Sequence, residues 1–332
     1  MAVLNDGNNS LSRGPSRPLV SIIVAIKNLI LSKRVDIFLC MLDGIRNQDY
    51  GCDEIEVIAV DGASEDGTIQ LLNLYKDNGL ITEFISEPDY GIYDAMNKGF
   101  YLSRGEIITF LNTDDLLERD AVSCAWRLMQ DKSVNYCYGD ALVVDEEGKG
   151  KYIRQGDERF IFFHTPYCHQ SLFIKRDAFL KAGCYSKKYK IVADWDLMLK
   201  LYLEIGGGRA RNAVVCRFRE GGASSNILRL QSERKSLIEE WSRKHLNLDY
   251  EDIITLYKEK IDIQKVNSAL EKAESASSIT VQTVFYKNLL SILYSRMATN
   301  PWYRFSKLGK KKRVLFLFNR LIHGKGRPDA KD

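Results

Sequence analysis

The sequence has no run of about 18 apolar residues, the length a helix needs to cross a bilayer, so no membrane-spanning helix is expected. It has no Cys-x-x-Cys pair. Its seven cysteines (Cys40, Cys52, Cys124, Cys137, Cys168, Cys184, Cys216) are scattered and odd in number. That argues against a disulfide framework or a structural zinc and for a reducing cytosol. No Gly-x-Gly-x-x-Gly follows the first apolar strand, and no Gly-x-x-x-x-Gly-Lys occurs. Both absences disfavour dinucleotide oxidoreductases and P-loop phosphotransferases. Met1 to Pro18 lacks the apolar centre of a signal peptide, and residues 1–17 are expected to be disordered. Acid is missing too: between Ser275 and Pro328 there is no Asp or Glu, but eleven Lys and Arg. A basic tail on a mildly acidic body suggests an anionic partner surface.

What is present describes a folded chain. At 332 residues, with 45% hydrophobic and 28% charged side chains, there is room for one large α/β domain and a smaller appendage. Near-continuous apolar runs at Pro18–Ala25, Glu54–Val60 and Thr82–Ser86 predict strands covered on both faces. Helices are predicted at Lys27–Asn47, Thr68–Asp77 and Ile92–Leu102 between them, and at Asp120–Lys132 after the next strand. This alternation predicts a mainly parallel sheet with crossover helices. Further on, Asn135–Asp145 and Gly150–Gln155 predict paired strands, Ser171–Ile174 another, and Ala213–Arg219 a last one. Helices are predicted at Arg176–Ala182 and from Ile191 to Glu204.

The chain is organised around the stretch from Glu87 to Leu117. Ile107, Ile108, Phe110 and Leu111 form a buried strand that ends abruptly in Asn112, Thr113, Asp114 and Asp115. Two adjacent carboxylates at that place are costly unless a positive group meets them. The carboxyl ends of strands in an open α/β sheet are also where ligands sit. Mg²⁺ or Mn²⁺, held by one or two carboxylates and a substrate's phosphates, would satisfy both. The plain alternative is a strand end followed by a helix cap.

Five pieces recur in order: Pro18–Ala25; Val60-Asp61-Gly62 with Asp66-Gly67-Thr68; Gly91 with Asn97-Lys98-Gly99; Gly105-Glu106 with Leu111-Asn112-Thr113-Asp114-Asp115; and Ala193-Asp194-Trp195-Asp196-Leu197. Together they resemble the inverting family 2 glycosyltransferases of GT-A fold, over about residues 18–222. The run Glu87–Gly99 and Cys168-His169-Gln170 look like a subgroup that builds bacterial surface polysaccharides such as O-antigen, capsule or exopolysaccharide.

The resemblance implies roles. Ala25 and Asp61 would floor the nucleotide site, with Asp61 reading a uracil edge. Asp114 would be the metal ligand, with Asp115 replacing or assisting it. Asn112 stands where the family has its first Asp and brings no charge, which bears on metal affinity and not on fold. Asp194 would be the general base; on bare sequence it is equally a helix cap. His169 would deliver a further metal or diphosphate ligand, or be a satisfied structural histidine. Lys98 would bind donor phosphate or face solvent, and Asp66 would bond its own turn or the nucleotide. Tyr90 and Tyr93 would line the donor pocket or pack in the core.

The implied chemistry needs these groups. A divalent cation offsets charge on a departing nucleoside diphosphate. A carboxylate takes the acceptor hydroxyl's proton, contributing ~10²–10⁴-fold. The expected activity is transfer of a sugar from a UDP-sugar to a saccharide on a lipid carrier. Three regions are expected: the disordered N-terminus; residues 18–225, with a nucleotide-sugar half to 125 and an acceptor half from 126; and a helical, basic region 226–332. In the last, Val284–Tyr294 and the aromatic and basic residues from Pro301 to Phe318 are read as an amphipathic membrane-surface element. Core packing, a homodimer contact and nucleic acid are the alternatives, nucleic acid the least favoured. The expected location is the cytoplasmic face of the membrane. Rival functions are a sugar nucleotidyltransferase and a non-catalytic scaffold of the same fold.

Overall fold

A computed structural model of the chain describes residues 19–219 and 227–257, with 268, 272, 281, 284–289 and 291–292. The loop expected at 221–224 and the basic stretch from 293 onward lie outside the described residues. One nine-stranded mixed sheet organises the chain, in the order β3-β2-β1-β4-β8-β6-β9-β5, with β7 on a free part of β6. The strands are β1 (Val20–Ile26), β2 (Ile55–Asp61), β3 (Glu83–Ser86), β4 (Ile107–Leu111), β5 (Leu116–Leu117), β6 (Tyr136–Val144), β7 (Gly150–Arg154), β8 (Phe173–Lys175) and β9 (Gly208–Arg219). β3, β2, β1 and β4 run parallel, so each connection crosses over through a helix. β8 runs antiparallel to both β4 and β6 and joins the two halves.

The sheet is covered on both sides. Alternation along β1 sends Val20, Ile22 and Val24 into one apolar cluster and Ile23 into the other. The first cluster takes α1 (Val35–Arg46), α2 (Thr68–Asp77) and α4 (Ala121–Met129). The second, larger one takes α3 (Ile92–Leu102), α5 (Arg176–Lys181), α6 (Ala193–Lys200) and α7 (Ile227–Leu246). α8 (Tyr250–Tyr257) follows, sending Ile253 and Leu256 into the same cluster. Helices α2 and α3 fall on the residues that periodicity predicts.

Three expectations are corrected. Residues 27–34 are a loop and not the first turns of α1. The N–H groups of Asn28, Leu29 and Leu31 donate to Ser64 Oγ (2.6 Å), Thr68 Oγ1 (2.9 Å) and Asp66 Oδ2 (2.8 Å). Asn28 and Lys33 also take left-handed backbone conformations that end any helix. α6 stops at Lys200 and continues as a π-helical turn to Ile205. The apolar face of 284–292 is not available to lipid: Phe285, Leu289 and Ile292 are buried in the larger cluster, and Phe285 meets Phe162 edge to face at 5.1 Å. Among the described residues no helix is long and apolar enough to cross a membrane.

Gly99 shows why Asn97-Lys98-Gly99 reads as it does. A Cβ there would lie 2.4 Å from Ile23 Cγ2 and 3.0 Å from Val60 Cγ2, so glycine lets α3 sit close on β1 and β2. Glu158, beside β6, accepts from Tyr136 Oη at 2.7 Å. Burial pushes its carboxyl up to about 7, against the lowering effect of the Tyr136 and Tyr138 hydroxyls.

Gly99→Ala gains about 1 kcal/mol of helix propensity and loses about 1–3 to overpacking. Denaturant melts should show net destabilisation. Gly44→Ala in α1, where nothing lies within 4 Å, should instead stabilise. Glu158 binds its proton more tightly folded than unfolded, so its contribution is full below the ordinary carboxylate range. It is lost as pH rises through about 7, at a cost of at most ~3 kcal/mol. Glu158→Gln should flatten the melting profile between pH 5 and 8; an unchanged slope rejects this assignment.

Candidate active site

The carboxyl ends of β1, β2 and β4 meet at one edge. Ile26 pairs with Asp61 across β1 and β2, and Val24 with Leu111 across β1 and β4. Parallel order therefore delivers Ala25, Asp61 and Asn112 to the same rim, where open α/β sheets bind ligands. Asp61 is wholly buried: Ser64 Oγ donates to Oδ1, and Ser64 N–H (2.9 Å) and Ser86 Oγ (2.6 Å) to Oδ2. Its carboxylate thus faces its own turn and the end of β3. Asp66 also bonds its own turn, accepting from Thr68 Oγ1 at 2.6 Å and fastening the 27–34 loop through Leu31. Lys98 is bound at the carboxyl end of β3, next to the rim. Its ammonium pairs with Glu87 (2.8 Å) and donates to Pro88 O (2.7 Å), bracing the turn before α3.

The Asn112–Asp115 segment divides its work. Asp115 is fully buried, accepting from Arg219 N–H (3.0 Å) and Asn112 Nδ2 (2.9 Å). Burial first, and then the charge of Asp114, push its carboxyl up to about 8. Asp114 keeps 13% of its side chain exposed and pairs with Arg34 at 3.3 Å. Among the described residues the buried Asn112 Oδ1 has no hydrogen-bond partner, an unusual state for a carboxamide. An unsatisfied oxygen beside two crowded carboxylates fits a hard cation or a sugar hydroxyl. Among the described residues no three His, Cys, Asp or Glu side chains form a self-sufficient metal cluster. The donor set therefore suits a cation that completes its shell with substrate oxygens.

The second half supplies a second group. His169 Nε2 is hydrogen-bonded to Tyr185 Oη, and the ring stacks on Phe110 at 6.0 Å, two residues before Asn112. Burial lowers the affinity of His169 for a proton, with the Asp194 charge opposing. Asp194 opens α6, accepts from Trp195 N–H at 2.8 Å, and faces Tyr93, Tyr185 and His169. Burial and the Asp194 charge hold the Tyr93 and Tyr185 phenols well above their ordinary range. His169, stacked on Phe110 and within the field of the Asp194 charge, relates the base candidate to the strand that leads into Asn112 and Asp114. Sequence reasoning missed Arg34, which sits in the stretch taken for helix, and Tyr185. It had set Tyr93 between pocket and core, and the structure puts it beside Asp194.

A profile of glycosyl transferase family 2 matches residues 21–183. A PGL/p-HBAD biosynthesis glycosyltransferase of Mycobacterium tuberculosis is 30% identical over 218 residues, covering 64% of this chain and 80% of that protein. The chain belongs to glycosyl transferase family 2. A chondroitin synthase of Pasteurella multocida is 24% identical over 271 residues, but those span only 27% of its length and 74% of this chain. Two solved structures share the fold. Residues 1–349 of S. aureus TarS in complex with UDP-GlcNAc match with a TM-score of 0.52 and 14% identity over 95% of each chain. The mannosyltransferase PcManGT from Pyrobaculum calidifontis, in complex with GDP-Man and Mn²⁺, matches with a TM-score of 0.51 and 19% identity, over 94% and 89% of the two chains. The fold is GT-A and the chain is a glycosyltransferase. The family profile ends before Asp194, so the base candidate stands on local geometry.

Proposed function

We propose that this chain is an inverting, metal-assisted glycosyltransferase that moves a sugar from a UDP-sugar to a saccharide acceptor carried on a lipid, in cell-surface polysaccharide synthesis. The observation that carries it is the pairing of an Asn112 oxygen unsatisfied among the described residues and a partly exposed Asp114 with a separate carboxylate, Asp194, near His169. Asn112 and Asp114 would hold Mn²⁺ or Mg²⁺, which supplies charge neutralisation on the leaving diphosphate. Asp115, its oxygens engaged, shapes that site from behind. The strand ends at Ala25 and Asp61 floor the nucleotide. Asp194 accepts the proton of the acceptor hydroxyl as its oxygen bonds the anomeric carbon. The bond from that carbon to the diphosphate breaks in the same displacement, inverting the centre and releasing UDP. The TarS complex with UDP-GlcNAc supports the choice of donor class. The eleven basic residues between Ser275 and Pro328 support an anionic membrane surface as partner, each contributing about 1 kcal/mol near such a surface.

With a panel of UDP-sugars and Mn²⁺, Asp194→Asn should lower acceptor-dependent UDP release by ~10²–10⁴-fold while UDP still binds. Asp114→Asn should raise the Mn²⁺ concentration needed for half-maximal rate. Wild-type rates in Asp194→Asn would sink the assignment of the base. Truncation after Ile292 should keep the fold and abolish flotation with anionic vesicles; retained flotation would remove the membrane partner.

A further inference from the structure

We propose that Glu233, on α7, is a positioning residue for the Asp194 base, so that a helix beyond the matched family region completes the active site. This rests on the reading of Asp194 given above. α6 begins without a capping side chain: its cap residue is Val192, which has nothing to accept with. Three consecutive N–H groups just ahead of it would be left open. Glu233 Oε2 takes them, from Lys190 at 2.9 Å, Ile191 at 2.8 Å and Val192 at 3.4 Å. Arg229, one turn back on α7, donates to Oε1 at 3.0 Å and fixes the carboxylate's orientation. Glu233 keeps only 13% of its side chain exposed. Burial resists its ionisation, yet the Ile191 N–H, Arg229 and the other two amides hold its carboxyl below the usual range.

The same segment is gripped from the opposite side and further along. Tyr93 Oη donates to Ile191 O at 2.8 Å, and Lys190 Nζ to Tyr90 O. Lower on α7, Glu240 accepts from Tyr189 Oη at 2.7 Å and Asp196 Oδ1 accepts from Trp241 Nε1 at 3.0 Å. Asp194 thus lies between two residues fixed by α7, Val192 and Asp196. A displacement near 1 Å in a reacting group costs on the order of a hundredfold in rate, so this clamp bears directly on turnover.

The test compares Glu233→Ala and Glu233→Gln with wild type. UDP release from UDP-GlcNAc and other UDP-sugars gives kcat, and calorimetry with UDP and Mn²⁺ gives nucleotide affinity. Glu233→Ala should lower kcat by about tenfold or more, with UDP affinity within about twofold of wild type. An unchanged kcat, or UDP affinity falling in parallel with kcat, overturns the proposal. If Glu233→Ala does not fold, Glu233→Gln decides. It keeps an acceptor oxygen for the amides and should lose about threefold in kcat at unchanged UDP affinity; full activity overturns the proposal. Asp194→Asn run in parallel separates the two claims. An inactive Asp194→Asn beside a fully active Glu233→Ala overturns positioning alone, whereas a fully active Asp194→Asn overturns the base assignment beneath it.

Discussion

The buried carboxylate of Asp115 is the constraint on which the site depends. One oxygen accepts from the backbone N–H of Arg219, at the end of β9, and the other from Asn112. A single side chain thus joins the segment after β4 to β9, the last strand. Burying it is costly, because desolvation and the neighbouring Asp114 charge both oppose ionisation. With Asp115 turned inward, Asp114 pairs with Arg34, and among the described residues Asn112 Oδ1 is left without a partner. A pair of acids that looks redundant in sequence therefore sits in two different settings, one buried against β9 and one paired with Arg34.

The same division runs through the rest of the rim. Asp61 holds Ser64 in the turn after β2, and Ser64, Asp66 and Thr68 reach across it to pin residues 27–34. Arg34, at the end of that loop, is brought against Asp114. On the far side, Phe110, His169 and Tyr185 form an aromatic bridge from β4 to Asp194. Such rigid packing behind polar groups is what holds a reacting constellation in place.

Much of this was legible in the sequence because its signals are local. The apolar runs of β1, β2 and β4 and the periodicity of α2 and α3 survive without tertiary help. The sharp transition from Leu111 to Asn112 marks the strand end at sight. What was not legible depends on distant partners. The 27–34 stretch looks helical until Ser64, Asp66 and Thr68 take its N–H groups. Asp115 and Asp61 cannot be told from their outward-facing neighbours by residue type. Glu233 carries no signature, since its role arises only where α7 meets 190–192. An amphipathic stripe such as 284–292 reads alike whether it meets lipid or the protein's own interior.

That last placement bears on how the chain is made. Phe285, Leu289 and Ile292 fill the larger core alongside Phe162 and residues of α7, so the interior cannot close until the ribosome has released the chain beyond residue 292. Until then the part of that core beside Phe162 waits partly uncovered. Synthesis of this enzyme therefore passes through a stage with exposed apolar surface, the kind of nascent species that chaperones shield.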